Sequence, residues 1–591
     1  EADEHFARLR LWGLTFLRLL ITWEAVEHAG PGQYDTEYLE YLLQLVRKAA
    51  AHGISVFIDP HMDTWSRFSG GDGAPGWTLE AAGFDVRAIH ASGAATLHQE
   101  YGGPMPPMIW PTNNLKLAAA TMYTLFFSGD DFAPKLKVGG EGIQSYLQRH
   151  YLEALRQVAE KLAAEPNVAG FDSLNEPSVG FAGRKDLNDS GGLKNGSFVT
   201  GWESMVLGAG FPVRAMMYSP IFVPRGRVTL NQQRTRAWVD DTECVWHKHG
   251  VYRISASGEP ELLRPDYFAL RPDGSPVDFA PHYMLPFWEK VLAMLQQVQR
   301  GSLPPFHLFA ELHLDLNSVD TAKTPTEIVD AVAAFPAERA NALFGSDSVC
   351  LAPHWYDGLT LVMKAFRPWW TVDLGSSKPV LGTLAAQAAI NNYLCRIVDQ
   401  GTRMPLGGAP VIIGESGIPF DIGGKAGFDL SLQIQALDRT MQAMQAALVS
   451  VTLWNYTPDN TADDGDRWNG EDLSVFSREW QFTPDDLYSG GRALPALVRP
   501  YARKVCGTPL SMTFSTSEPN RRFTFTFRHT DGISASTEIF VPHYQYPDGP
   551  EVTISDGEFR LDEQLQSLFY IHSTDRAEHT ITLSLKTRKI V

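Results

Sequence analysis

Two glutamates stand at the ends of short apolar runs, where a carboxylate can take part in chemistry. Glu176 lies in an Asn-Glu-Pro triplet after an apolar run from 168 to 174, and Glu415 ends a second run from 410 to 414. Both runs have the length and composition of buried strands. If both strands belong to one closed parallel barrel, their carboxyl ends share one end of the barrel and the two side chains converge. Two converging carboxylates are the minimal equipment for hydrolysing a glycosidic bond, one as acid and base and the other as nucleophile.

Arg18 lies inside another apolar run, residues 15 to 21. A buried arginine is unfavourable unless it is paired, and a carboxylate at the end of the barrel is its natural partner. We assign Arg18 to Glu415, whose carboxylate it would keep ionised. The alternative is a structural ion pair elsewhere in the barrel.

Other predicted strand ends carry side chains that suit a sugar. His61 and Asp63 follow one strand, and an imidazole next to a carboxylate matches sugar hydroxyls; as a metal site the pair has no third ligand nearby in the sequence. Tyr356, two residues after His354, would hold the nucleophile through its hydroxyl. Trp454 ends the last run and offers a flat apolar face on which a pyranose stacks. For Tyr356 and Trp454 the alternative is packing in the core.

Placing these residues at one end of a molecule requires parallel strands alternating with helices, which predicts an α/β fold of the (β/α)8 TIM-barrel type. Seven strands are predicted, at residues 15–21, 55–59, 168–174, 307–310, 349–352, 411–413 and 450–453. A closed barrel of this type has eight, so we expect the first strand upstream of Glu1. Helical patterns cover residues 1–13, 36–51 and 144–164, and long insertions cover about 60–143 and 178–286.

From about residue 508 the pattern changes to short alternating segments separated by turn signals such as Asp531-Gly532 and Asp548-Gly549. Six strands in this part predict an appended antiparallel β-sandwich. We therefore divide the chain into a catalytic barrel over 1–505 and a sandwich domain over 506–591.

Composition narrows the classes of partner and compartment. The net charge of −18 argues against a nucleic-acid partner or a polybasic membrane anchor but leaves a lipid-like substrate open. Four scattered cysteines form neither a disulfide framework nor a zinc pattern. The sequence has no run of 18 apolar residues. We expect an intracellular protein, cytoplasmic or peripheral to an internal membrane; peripheral membrane contact and the oligomeric state stay open.

The ordered set of strand-end residues resembles glycoside hydrolase family 5, over about residues 1 to 505. Its members are Arg18, His61, the triplet at 175–177, His354-x-Tyr356, Glu415 and Trp454. The segments 61–63, 352–356 and 454–460, together with the β-rich tail, are similar to the endoglycoceramidase-related glycolipid hydrolases. The fungal branch that acts on glucosylceramide or steryl glucoside is the most similar of these.

The resemblance implies a role for each residue. Glu176 is implied as the acid/base and Glu415 as the nucleophile, while Asn175 contacts the 2-hydroxyl of the sugar. Three residues are implied to support the carboxylates: Arg18, His354 and Tyr356. Four are implied to contact substrate: His61, Asp63, Trp454 and the aromatic Phe127. No metal or organic cofactor is implied.

These residues predict a retaining β-glucosidase of membrane glycolipids that releases glucose and sterol from steryl β-glucoside. The first alternative substrate is glucosylceramide, as for a glucosylceramidase or endoglycoceramidase, and a polysaccharide endo-β-glucanase is less favoured. A non-catalytic glycolipid carrier on the same scaffold is the alternative from another class. The presence of Arg18 and both glutamates argues against it.

Overall fold

The three-dimensional structure is a computed structural model of the 591-residue chain. It describes residues 1–586 except for 104, 107, 220–222, 240–243, 314–334, 346, 374–377, 404–408, 425–426, 462, 468 and 518–520.

Seven parallel strands form the wall of the barrel and are confirmed where the sequence predicts them. They are β1 (Phe16–Thr22), β2 (Ser55–His61), β3 (Val168–Asp172), β4 (His307–Ala310), β5 (Val349–Leu351), β6 (Ile412–Ser416) and β7 (Ser450–Leu453). Strands β1 to β5 pair in chain order, and β6 pairs with β7. Parallel bridges from Leu351 to Val411 and from His354 to Glu415 join the two groups. The fold is therefore a TIM barrel.

The helices on the outside follow from apolar spacing and end signals. In the helix Thr36–Ala51 the buried side chains are Leu39, Leu42, Leu43, Val46 and Ala49, which share one face of a 3.6-residue period. The Asp35 side chain accepts the Tyr38 N–H at 2.9 Å as an N-cap. Gly53 ends the turn at φ +69°, a left-handed conformation that favours glycine.

The α-helices of the described residues share this outer position or lie in the insertions. They are Ala2–Leu11, Trp23–Glu27, Thr36–Ala51, Gly76–Ala81, Ile89–Ser92, Leu117–Phe132, Ile143–Lys161, Gly201–Gly208, Val245–Lys248, Leu285–Gln297, Ala337–Phe344, Gly358–Met363, Thr383–Arg403, Ser431–Ala446 and Leu494–Leu497. Among the described residues, none of these helices combines the length and the hydropathy needed to cross a bilayer.

The insertions add short antiparallel sheets to the barrel. Their strands are Lys137–Val138 with Glu141–Gly142; Gly196–Phe198, Val213–Tyr218 and Pro224–Leu230; Tyr252–Ile254 with Pro260–Leu262; and Trp370–Asp373 with Lys378–Leu381. The main core lies between the barrel wall and the helices. A smaller cluster inside the barrel contains Phe57, Phe309, Ala352 and Ile412.

The C-terminal part consists of two antiparallel sheets of four strands each. One contains Tyr501–Lys504, Thr537–Phe540, Ser567–Ile571 and Glu558–Asp562, and the other contains Gly507–Ser515, Arg522–His529, Glu578–Leu585 and Pro550–Ile554. The structure thus has two strands that the sequence analysis missed, Tyr501–Lys504 and Glu558–Asp562. Because Tyr501–Lys504 pairs with Thr537–Phe540, the predicted boundary at 505/506 is wrong by one strand.

Candidate active site

The predicted strand-end residues meet at the carboxyl end of the barrel. Glu176 follows β3 and Glu415 lies in β6, and parallel pairing brings both to the same level. One carboxylate oxygen from each and a ring nitrogen of His354 all lie within 4.8 Å of one another. The side chains of Glu176 and Glu415 are 20% and 10% exposed. The two glutamates, 239 positions apart in the sequence, therefore share one partly open site.

Glu176 is held from its backbone and from its side chain. Its φ of +38° is a left-handed conformation, and its N–H donates to Glu311 Oε1 at 2.9 Å. Its own Oε1 lies 2.9 Å from His354 Nδ1. Burial, and then the negative charge of Asp63, raise the pKa of Glu176 to about 7. With this pKa, the Glu176 carboxyl is protonated in a substantial fraction of the molecules at neutral pH, as a general acid requires.

Both carboxylate oxygens of Glu415 accept hydrogen bonds. The Tyr356 hydroxyl donates to Oε1 at 2.7 Å and Arg18 Nη1 donates to Oε2 at 2.8 Å. Burial raises the pKa of Glu415, while the positive charges of His354 and Arg18 act in the opposite direction. The predicted contacts of Arg18 and Tyr356 with Glu415 are thus present, although the pKa lies above its ordinary value.

Arg18 also forms ion pairs with carboxylates other than Glu415, which the sequence analysis did not predict. Its guanidinium lies 3.0 Å from Asp59, 3.2 Å from Asp172 and 3.5 Å from Glu311. It also donates to Asn175 Oδ1 at 2.8 Å. One cation therefore organises a buried layer of carboxyl groups, and their charges raise its own pKa.

The residues predicted for the sugar line one side of this layer. Asn175 Nδ2 donates to Asp63 Oδ1 at 3.1 Å, and His61 Nε2 lies 3.5 Å from Asp63 Oδ2. His61 Nδ1 contacts Asp59 Oδ2 at 2.8 Å. The ring of Trp454 lies parallel to that of His61 at a centroid distance of 5.1 Å. Buried polar atoms beside an indole face are what a pyranose ring needs.

Phe127 is the one predicted contact residue that the structure places elsewhere. It lies in the helix Leu117–Phe132, is 1% exposed, and packs against Phe126, Phe279 and Phe287. Phe127 therefore belongs to the core of this buried helix, and its contact with substrate stays a prediction.

The site also contains acidic residues that the sequence analysis passed over. Asp59, Asp172 and Glu311 occupy or directly follow strand ends, so the signal that identified Glu176 and Glu415 would have identified them as well. Asp72 comes from a loop and carried no such signal.

Asp72 is a third potential metal ligand near His61 and Asp63, which the sequence analysis did not find. Its carboxylate, the Asp63 carboxylate and a His61 ring nitrogen lie within 4.8 Å of one another. All three already have polar partners: Asp72 Oδ1 accepts the Asp63 N–H at 3.2 Å, Asp63 Oδ1 accepts from Asn175, and His61 contacts Asp59. Such a cluster both donates and accepts hydrogen bonds, which suits sugar hydroxyls.

A cavity in the described part of the chain adjoins this pocket. Its volume is about 1070 Å³, and its lining, which is mainly apolar, includes residues of the helix Ala2–Leu11, β1 and β7. Arg18, Glu415 and Trp454 line it, whereas Glu176, His61 and Asp63 do not. It therefore runs along the barrel wall between β1 and β7 and reaches Glu415.

Two family models match the chain. Residues 1–190 match the cellulase model of glycosyl hydrolase family 5, and residues 499–583 match the glycoside hydrolase family 5 C-terminal domain. A glucosylceramidase of Rhizopus delemar is 36% identical, over 96% of this chain and 84% of its own length. An ergosteryl-β-glucosidase of Saccharomyces cerevisiae is 32% identical, over 83% of this chain and 69% of its own length.

A solved structure supports the same relationship. The crystal structure of Cryptococcus neoformans sterylglucosidase 1 matches with a TM-score of 0.87 and 31% identity, over 99% of this chain and 89% of that one. The likeness extends through both the barrel and the C-terminal sheets, since almost the whole chain is covered.

Proposed function

Because the chain belongs to glycoside hydrolase family 5, we propose that it is a retaining β-glucosidase that hydrolyses the glucosidic bond of membrane glycolipids. Retention is supported by the carboxylates of Glu176 and Glu415, which approach within 4.8 Å. Retaining enzymes have their carboxyl groups about 5 Å apart, whereas inverting enzymes leave a larger gap for a water molecule.

The proposed reaction has two steps. Glu415 attacks the anomeric carbon and the bond to the aglycone oxygen breaks, while Glu176 gives its proton to that oxygen. A glucosyl ester on Glu415 results. Glu176, now ionised, takes a proton from water, and the resulting attack releases glucose and regenerates Glu415. This chemistry uses no cofactor.

The surroundings of the two glutamates fit these roles. Tyr356 and Arg18 fix both oxygens of Glu415 and favour its ionised form, as a nucleophile requires. The charge of Glu176 raises the pKa of Glu415, and such repulsion is mutual. Once Glu415 becomes an uncharged ester, the pKa of Glu176 falls, so the same residue can act as acid and then as base.

For the aglycone we propose a sterol first and a ceramide as the alternative. The Cryptococcus structure carries the name sterylglucosidase and the yeast relative the name ergosteryl-β-glucosidase, whereas the Rhizopus relative is named glucosylceramidase. Purified protein given steryl glucoside and glucosylceramide side by side is expected to release free sterol at the higher kcat/KM. Faster release of ceramide would reverse the order.

We also propose that the carboxyl end of the barrel rests against a membrane. Large exposed apolar side chains lie on the connections that follow β5, β6 and β7, all at the end that carries the site. They include Trp369 (50% exposed), Leu381 (67%), Leu384 (87%), Phe428 (75%) and Phe482 (70%). Aromatic and aliphatic groups of this kind enter the interface of a bilayer.

Vesicle binding tests the membrane contact. Because the net charge is −18, we expect an apolar contact, so the protein should sediment with neutral phosphatidylcholine vesicles without anionic lipid. The double variant Leu384→Glu with Phe428→Glu should bind less and lose activity on glycolipid in vesicles while keeping activity on a soluble aryl β-glucoside. Unchanged vesicle binding would rule out this surface.

An intracellular site of action is part of the proposal. All four cysteines are free thiols. The chain has Asn-x-Ser/Thr sequons at Asn188, Asn195 and Asn455. Two of these asparagines use their amides inside the fold: Asn195 donates to Met108 O at 2.9 Å and Asn455 to Asp466 at 3.0 Å. Fractionation of the source cells should find the protein in cytosolic and membrane-associated fractions, and recovery from the medium would contradict this location.

Removal of each carboxylate tests the proposed chemistry. Glu415→Gln and Glu176→Gln should each lower turnover of an aryl β-glucoside, the former by several orders of magnitude. Glu27→Gln is a matched control, because Glu27 is a buried glutamate with hydrogen-bonded partners outside the site. Near-normal turnover by either site variant would refute the assignment.

A further inference from the structure

Two connections that are distant in the sequence meet through one hydrogen bond beside the sugar pocket. Trp110 begins the 3-10 helix Trp110–Leu115 in the insertion after β2, and Glu471 lies in the connection after β7. Trp110 Nε1 donates to Glu471 Oε1 at 2.7 Å. Trp110 is half-buried and Glu471 is 6% exposed.

The segment that carries Glu471 is fixed next to Trp454. Asn455, the residue after that tryptophan, donates its N–H to Leu473 O at 3.2 Å and its side-chain amide to Asp466 at 3.0 Å. Asp466 N–H in turn donates to Glu471 O at 2.7 Å. The segment that carries Glu471 is thus tied to the residue that directly follows Trp454, on which the pyranose is expected to stack.

Glu471 also interacts electrostatically with residues of the site. Burial raises the pKa of Glu471 to about 8, and the negative charge of Asp63 contributes to this rise. The charge of Glu471 in turn raises the pKa of Tyr356, the residue that holds Glu415. Among the described residues, Trp110 is the side chain that hydrogen-bonds to Glu471, and it uses Oε1 alone. Oε2 is left for another group.

The positions around a bound glucose are filled in an order set by Glu415. In the proposed reaction Glu415 attacks the anomeric carbon, and Asn175, His61 and Asp63 are the residues expected to bond the nearer hydroxyls. The hydroxyls on C4 and C6 are the most distant from the anomeric carbon and need a further partner. A carboxyl group can bond such hydroxyls in either state, because it donates and accepts when protonated and accepts when ionised.

We propose that Trp110 and Glu471 form the end wall of the sugar pocket and limit it to one glucosyl residue. Glu471 Oε2 bonds the C4 and C6 hydroxyls, which selects glucose over galactose because the two sugars differ at C4. Trp110 orients Glu471 and occupies the space into which a second sugar on O4 would extend. This inference rests on the proposed β-glucosidase function and names its sugar specificity.

Substitutions at Trp110 test the wall with 4-nitrophenyl β-glucoside and β-cellobioside as paired probes. Wild-type protein should cleave the glucoside with a large preference. Trp110→Ala should raise the cellobioside-to-glucoside ratio of kcat/KM by about tenfold or more, a typical effect of reshaping one pocket contact. Trp110→Phe keeps most of the bulk but loses the N–H, so it should lower glucoside turnover and leave the ratio near that of wild type.

Substitutions at Glu471 test the hydrogen bonds to the sugar. Glu471→Gln keeps a donor and an acceptor and should stay within a few-fold of wild type. Glu471→Leu should lower kcat/KM on the glucoside and reduce the preference for glucoside over 4-nitrophenyl β-galactoside by about tenfold.

Trp77→Ala is the matched control. Trp77 is a half-buried tryptophan of the same insertion whose Nε1 donates to Glu27 O at 2.8 Å. It packs against Trp23 and His150 outside the site, so this variant should change neither ratio.

The outcomes separate the two proposals. Wild-type cleavage of the cellobioside as fast as the glucoside would overturn the end wall. So would a Trp110→Ala variant that is active on the glucoside with an unchanged ratio. In both cases the β-glucosidase function stands. Failure of wild-type protein on every aryl β-glycoside would remove the function and the end wall together.

Discussion

The barrel interior consists of two layers built by the same strands, and they differ completely in chemistry. The lower layer is aromatic: Phe57 stacks on Phe309 at a centroid distance of 4.3 Å, and Phe16 packs against both. Each aromatic residue is followed two positions later by a member of the charged layer: Phe57 by Asp59, Phe309 by Glu311 and Phe16 by Arg18. Residues two positions apart in a strand face the same side of the sheet. Each strand therefore contributes one residue to the aromatic layer and the next inward-facing residue to the charged layer.

The difference explains the behaviour of the charged layer. The aromatic layer closes the barrel beneath the carboxyl groups, which therefore face a medium of low dielectric. Burial is accordingly the largest cause that raises the pKa of Glu176, Asp172 and Glu415. One guanidinium, Arg18, offsets part of this penalty for several carboxylates at once. We infer that the lower layer provides stability and the upper layer provides chemistry, and variants in each should separate the two.

Arg18→Met should have the largest effect. It removes the cation from a layer that keeps its carboxyl groups, and breaking a buried ion pair this way lowers the free energy of unfolding by about 3–5 kcal/mol. Activity should also fall by orders of magnitude, since Glu415 loses a donor to Oε2. Thermal unfolding and aryl β-glucoside kinetics measure both. Arg18→Lys, which keeps the charge, should be less damaging; equal stability of wild type and Arg18→Met would contradict the role of the cation.

Phe57→Ala should damage stability alone. Removing a buried phenylalanine lowers the free energy of unfolding by about 3–5 kcal/mol through lost burial and a cavity. Below the melting temperature, kcat/KM should stay within a few-fold of wild type because no reacting group is touched. Phe57→Leu should lower the melting temperature less. A loss of activity as large as that of Arg18→Met would break the separation between the layers.

Glu311 should matter through the position of Glu176. It accepts the Glu176 N–H at 2.9 Å, and its Oε2 lies 3.3 Å from His354 Nε2. Burial and the charge of Asp172 hold the pKa of Glu311 well above its usual range, so Gln is a close mimic of the neutral acid. Glu311→Gln should keep most activity. Glu311→Ala leaves the buried N–H of Glu176 unpaired, which costs about 1–3 kcal/mol. If this cost falls on the transition state, kcat/KM should decrease roughly 10- to 100-fold.

A matching pH profile would separate positioning by Glu311 from general damage. Released from its left-handed backbone conformation, Glu176 should titrate at a different pH in Glu311→Ala than in wild type. Two profiles of the same shape, differing in height alone, would indicate a merely structural role.

The kcat/KM of the wild-type protein should decrease as the pH rises, with a midpoint near pH 7. Glu176 must be protonated to act as an acid, and its pKa is about 7, so activity is lost as the pH rises through that value. Asp63→Asn removes a negative charge that raises this pKa. The alkaline limb should therefore move to lower pH, and a shift to higher pH would contradict the assignment.

Phe127→Leu should have the smallest effect on function. The ring lies among Phe126, Phe279 and Phe287, and a volume-reducing apolar exchange in a core is expected to lower the free energy of unfolding by about 1 kcal/mol. KM and kcat for an aryl β-glucoside should not change. A raised KM would restore Phe127 to the substrate site.

What could be predicted from sequence follows the same two layers. Apolar runs that end in a charged residue identify β3 and β6 and their glutamates, because strand ends in a parallel barrel must meet. Glu311 obeys the same rule and was overlooked. The strand Tyr501–Lys504 was missed because it is short and pairs with a strand more than thirty residues later.

Residues on the long insertions lay beyond this rule. Asp72 and Trp110 reach the site through the path of a connection, and no local periodicity specifies where such a path returns. Phe127 shows the converse case, since the family resemblance implies a substrate contact there while the chain folds into a buried helix. Tertiary packing, which one sequence does not reveal locally, decides both cases.

The claim that Glu415 is the nucleophile is open to one direct measurement. Incubation with a 2-deoxy-2-fluoro-β-glucosyl fluoride slows release of a covalent glucosyl-enzyme, and mass spectrometry of the digested protein locates the attached sugar. We predict a single label on Glu415. A label on any other residue, or an unlabelled protein that turns the reagent over, would contradict the central claim.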